Sequence, residues 1–195
     1  MQKVACTKCG TLILPATAQK TGGLCRPCST GKREAIERSK AYYHKERELN
    51  RTDPERLFWK ALVGRVYSPG GFDALHAPEK KYFAAQVLLG EVYNGGFEQF
   101  FYNHSGDYFT IVSQTLLELG AQRCLRLLRR AKEILFAKDD VPLYTPDRRR
   151  YLASHPIKER QALEVLDKEF WSDPDALHEK LSAFAREHRL FGVAV

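Results

Sequence analysis

The sequence contains no run near the roughly 18 apolar residues that a membrane-spanning helix needs. Its opening, MQKVACTKCG, also lacks the apolar core of a secretion signal. Both absences point to a cytoplasmic protein with no membrane partner. Sustained period-two alternation of apolar and polar residues is missing too, which argues against a sheet-based body. Net charge is missing from most of the chain: of 31 Lys+Arg and 24 Asp+Glu, residues 52–195 hold 20 of each sign, and the whole excess of +7 sits in residues 1–51. With 195 residues and 44% hydrophobic content, the chain can bury one main core with a small appendage.

Four of the five cysteines are concentrated near the start, as Cys6-x2-Cys9 and Cys25-x2-Cys28 with 15 residues between the pairs. Each C-x2-C makes a knuckle that aims two thiolates at one point, and four sulfurs complete the tetrahedron that zinc prefers, with no position left for water. Disulfides suit a reducing compartment poorly, and a redox C-x-x-C needs a thioredoxin-like strand and helix context that is absent. Residues 1–31 therefore read as a zinc ribbon or knuckle with Zn2+ in a structural role on Cys6, Cys9, Cys25 and Cys28. The segment between the pairs, TLILPATAQKTGG, offers a short strand and a proline turn. A module this small has too little core to fold without the metal.

Residues 32–51 are polar and rich in helix formers, which predicts a basic linker helix with Ser29 or Thr30 as its N-cap. Arg33, Arg38, Lys40, Lys45 and Arg47 are candidate phosphate contacts, and Tyr42 and Tyr43 are candidate stacking groups. Glu34, Glu37, Glu46 and Glu48 interrupt that field, so a solvated linker helix is the preferred reading and any nucleic-acid binding is expected to be weak.

From residue 52 onward, helix starts alternate with 3.6-residue apolar periods. Thr52-Asp53-Pro54-Glu55 reads as a capping box, and Ala77-Pro78-Glu79 opens a central helix to about Tyr93. Further helices are expected from Asp107 to Leu119, after Gly120, and at about 157–171 and 174–188. The body, residues 52–195, is thus predicted to be an all-α bundle of six or seven helices. Cys124, alone among apolar neighbours, reads as an inert core thiol.

The stretch NGGFEQFFYN, residues 94–103, follows the central helix. Gly95 or Gly96 suits a positive-φ corner, and Phe97, Phe100 and Phe101 recur at core spacing. Glu91, Asn94, Gln99, Asn103, His104 and Asp107 are candidate partner-binding residues around that corner; with Ser105, the favoured reading is that they satisfy the polar groups of helix ends. Neither His104 with Asp107 nor Glu91 with His104 follows a motif with a mechanism, so no catalytic residue is assigned and the protein is read as non-enzymatic.

LLGEVYNGGFEQFFYNHSGDY, followed by an apolar helix, an LG and an arginine-rich helix, resembles the signature of the DNA-mimic protein family. The likeness spans about residues 55–190. It implies a bacterial, all-helical protein without known catalytic activity, which binds a protein partner at its DNA-binding site and acts as a homodimer. Mimicry of duplex charge calls for an acidic surface, whereas this body carries equal charge of both signs. The leading reading is accordingly a non-enzymatic protein-binding module whose partner is a regulator or a toxin. The alternative is a nucleic-acid-binding accessory protein that uses the zinc module and the linker helix.

Overall fold

The computed structural model describes residues 2–154 and 160–191. Two compact units emerge, residues 1–56 and 57–195.

The first unit opens with an antiparallel pair, β1 (Val4–Ala5) and β2 (Leu12–Ile13), in which Val4 faces Ile13 and Ala5 faces Leu12. Pro15 opens a short helix, α1 (Pro15–Lys20), where the sequence suggested only a turn. Proline at a first helical position loses an N–H that would be unpaired in any case. A single turn, α2 (Arg26–Ser29), carries the second cysteine pair and leads to α3 (Arg33–Thr52). Ser29 therefore lies inside a helix of its own; Lys32 stands at the N-cap of α3 without a side-chain bond. The buried core of this unit is Cys6, Cys25 and Cys28, with Ile13 and Leu24 packed against them. No residue of α3 is buried.

Thr52 ends α3, and Asp53 caps the next helix, α4 (Pro54–Val66), by accepting the Arg56 N–H at 2.9 Å. The N-cap thus lies one residue later than expected, at Asp53, which directly precedes the proline.

The second unit is built around α5 (Ala77–Tyr102), which packs against α6 (Phe109–Glu118), α7 (Gln122–Phe136), α8 (Thr145–Ser154), α9 (Arg160–Trp171) and α10 (Leu177–Glu187). The all-α expectation holds. α8 was not foreseen, because its sequence TPDRRRYLAS has no apolar stripe; its buried residues are Thr145 and Arg148. Part of the helix expected at 157–171 falls outside the described residues, and α9 is seen from Arg160. The core joins Tyr82, Phe97, Phe100, Phe101, Phe136 and Phe170 with leucines from α4, α5, α6, α7 and α10. None of the described helices is long and apolar enough to cross a membrane.

Helix ends in this unit are satisfied from a distance. Asp175 accepts the Cys124 N–H at 2.8 Å in the first turn of α7, and Asp173 accepts that of Leu177 at 2.8 Å in α10. Lys180 donates to the Leu119 and Gly120 carbonyls after α6. These bonds supply partners for the orphan groups that every helix terminus leaves.

Candidate functional site

The four predicted metal ligands come together. Their sulfurs all lie within 4.8 Å of one another, with Cys9 Sγ and Cys25 Sγ 3.7 Å apart. A tetrahedral ion with bonds of about 2.3 Å would set sulfurs about 3.8 Å apart, so the group lies close enough together to hold a metal ion. The Cys25 amide donates to Cys6 Sγ at 3.1 Å, and Arg33 Nη2 donates to Cys25 Sγ at 3.1 Å. The thiols are electrostatically unequal: the hydroxyl of Thr11 beside Cys9 holds it down at about 6, the Cys25 amide lowers Cys6, and burial pushes Cys28 up to about 12. Four thiolates packed this closely require a cation to ionise together.

Arg33 therefore serves the cysteine cluster rather than an open face, and it also bonds Glu37 and Thr11. Lys40 pairs with Glu37 at 3.1 Å, while Arg38, Lys45 and Arg47 are exposed. At about 100° per residue, Arg33, Lys40 and Arg47 share one side of α3 while Arg38 and Lys45 occupy another. The five candidates do not form a single stripe.

The NGGF corner is a kink at which two helical segments of α5 meet, as expected of a corner between helices. Gly96 adopts φ 77°, ψ −178°, a region essentially reserved for glycine. Phe97, Phe100 and Phe101 are fully buried, as their spacing implies. α9 holds the kink from both sides: Asp167 Oδ1 accepts the Phe97 N–H at 2.8 Å, and Trp171 Nε1 donates to the Val92 carbonyl at 2.8 Å. Asp167 and Trp171 are four residues apart and so lie on one helix face.

Beyond the kink the predicted polar residues interlock. Gln99 and Asn103 donate to Glu91 Oε2 at 2.6 and 3.0 Å. The Thr145 hydroxyl lies 3.0 Å from His104 Nδ1 and donates to Asp107 Oδ1 at 3.1 Å. The hub is Arg148, whose guanidinium is fully buried yet reaches the carbonyls of Phe101, Asn103 and Pro142 and the Asp107 carboxylate at 2.7 Å. Gly106 makes room for it: a Cβ there would meet Arg148 Nε at 2.6 Å.

Glu91, Asn103, His104 and Asp107 line one cleft of about 560 Å³, with Phe72, Phe83 and Tyr108 among its walls and Tyr67 and Arg149 at its edges. Tyr67 is 85% exposed. Arg149 lies over the Tyr102 ring at 4.7 Å and donates to the Tyr102 carbonyl, which fixes its guanidinium. Gln99 reaches this group through Glu91, whereas Asn94 is exposed and does not line the cleft.

A model of the DMP19-like protein family matches residues 73–188, more than half of the chain. The chain belongs to the DMP19-like family. The match bears out the resemblance carried by the NGGF stretch; the kink and α6 to α9 fall inside it, as does the cleft except for Val66, Tyr67 and Phe72. Comparison with curated proteins and with solved structures gave no match. The cysteine cluster and α3 precede the DMP19-like span. Within that span, sequence reasoning missed Thr145, Arg148, Arg149, Asp167 and Trp171. The one local signal was a Thr-Pro-Asp helix start at Thr145, since an arginine triplet reads equally as a solvated surface.

Proposed function

We propose that this protein is a non-enzymatic binding module that engages a DNA-binding protein, a regulator or the DNA-binding part of a toxin, through the rim of the Glu91–Asp107 cleft. Family membership supports a partner of that class, since DNA mimics bind DNA-binding proteins. The observation that carries the choice of surface is the fixed rim. Tyr and Arg dominate binding hot spots, and Tyr67 and Arg149, the latter held over the Tyr102 ring, line the cleft with carboxylates whose orientation is already set by hydrogen bonds. Preorganised groups lose little entropy on association. A non-catalytic role is supported by the commitment of the polar groups: Ser105 donates to the Phe100 carbonyl, and Asp107 is neutralised by Arg148. Zinc is the ion proposed for the cysteine cluster, in a closed structural site.

Capture from nuclease-treated bacterial lysate tests the reading. One protein partner should be retained after nuclease treatment and lost with Tyr67→Ala or Arg149→Ala at an unchanged melting temperature. Loss of capture on nuclease treatment alone, or full capture by both variants, would refute it. A homodimer is the assembly that the family resemblance implies, and light scattering on the purified chain reads it directly.

A further inference from the structure

The exposed positions of α7 over residues 122–133 are Gln122, Arg123, Arg126, Arg129, Arg130 and Glu133, while Cys124, Leu125, Leu127, Leu128 and Ala131 are buried. Four guanidinium groups thus share one face with one carboxylate. Their placement does not serve the helix. Arg123 sits in the first turn, where the unpaired N–H groups already carry partial positive charge, and that turn contains no acidic residue of its own. The compensating carboxylate comes from Asp175 in the loop before α10. Local stability rules are broken here, as is common at functional surfaces.

Two of the arginines are occupied: Arg123 pairs with Glu169 at 3.0 Å and Arg130 with Glu133 at 3.1 Å. Arg126 and Arg129 have no hydrogen-bond or ion-pair partner among the described residues. The face presents no exposed apolar or aromatic side chain, and therefore lacks the desolvated centre on which a protein interface depends. Arginine is the residue suited to bidentate capture of phosphate oxygens. We propose that the exposed face of α7 binds the phosphate backbone of nucleic acid without sequence preference, at a site separate from the cleft and from α3.

Fluorescence anisotropy of a labelled 20-base-pair duplex with the full chain over a salt series tests this. Wild type should bind at 50 mM salt and weaken steeply as salt rises. With about −0.9 in log–log slope per phosphate contact, R126Q/R129Q should flatten the slope by about 1.8 units. R126K/R129K, which keeps the charge, should retain most of it, and K40Q/R47Q on α3 should leave the α7 share intact. Absence of duplex binding by wild type at 50 mM salt, an unchanged slope in R126Q/R129Q, or preference for polyglutamate over duplex would overturn the proposal.

Discussion

The kink at Gly96 places an amide, Phe97 N–H, where the preceding helical turn cannot serve it, and Asp167 accepts it at 2.8 Å from α9. Burial raises the Asp167 carboxyl above its ordinary range; the Phe97 amide opposes that shift, and Glu98 and Glu164 add to it. Two effects therefore compete in one side chain: the cap stabilises, and the buried charge costs. Replacement separates them. Asp167→Ala removes the acceptor and should cost about 1 kcal/mol, within the range of about 0.5–2 for lost caps. In a chain of this size that is a fall of about 2–4 °C in melting temperature. Asp167→Asn keeps an oxygen acceptor of similar capping rank and discards the charge, so it should match or exceed wild type near pH 7. The pH dependence has a definite sign. A carboxyl whose folded pKa lies above its unfolded value binds more protons in the folded state, so wild type gains stability as pH falls through the raised pKa toward 4, whereas Asp167→Asn gains nothing from this group. The advantage of Asp167→Asn should therefore shrink on acidification. Thermal unfolding followed by circular dichroism between pH 4 and pH 7.5 measures it. Equal losses for Asn and Ala, or an Asn advantage that grows with acid, would refute the reasoning.

The remaining expectations concern the metal and the core. Elemental analysis of tag-free protein should find one zinc per chain, and cobalt exchange should give a thiolate charge-transfer band that fades with acid as the sulfurs are protonated. Phe101→Ala should cost about 3–5 kcal/mol in denaturant melts, because the ring is fully buried against Phe109 and Phe136. Gly106→Ala should destabilise clearly in the same assay, since its Cβ would press on Arg148, whose carbonyl partners cannot follow it. Cys124 should resist iodoacetamide in the native protein and react in denaturant, because burial pushes its thiol up to about 12.

What could be read from the chain was what local spacing controls. The paired C-x2-C motifs determine where four sulfurs meet, and aromatic residues at positions 97, 100 and 101 following two glycines determine a buried helix entered through a positive-φ residue. What could not be read depends on partners far along the chain. Asp167 lies 70 residues from the amide it caps, and Trp171 lies 79 residues from the carbonyl it serves. α8 is the clearest case: its sequence looks like a solvated charged loop until Arg148 is seen to bind carbonyls more than 40 residues away. Periodicity detects apolar faces, and a helix anchored by one buried guanidinium has almost none. Position 106 shows the same limit, since its glycine is required by that guanidinium rather than by any turn.

Charge was the other quantity that averaging concealed. Equal numbers of acidic and basic residues in the body describe its far field, but at physiological ionic strength fields between exposed groups decay over about 8 Å. Arg123 to Arg130 spans seven residues of α7, about 10 Å along the axis at 1.5 Å per residue, so only charges close to that face, such as Glu169 and Glu133, offset it. The carboxylates at the kink are set apart in a different way. Asp107 is bound by Arg148, and Glu91 takes both carboxamide bonds on a single oxygen, which leaves its other oxygen as an acceptor for a visitor to the cleft. A neutral total is thus compatible with an arginine face that attracts phosphate and a cleft that can receive a cationic side chain. Which of these a partner meets depends on the face it approaches, and the domain's net charge does not decide it.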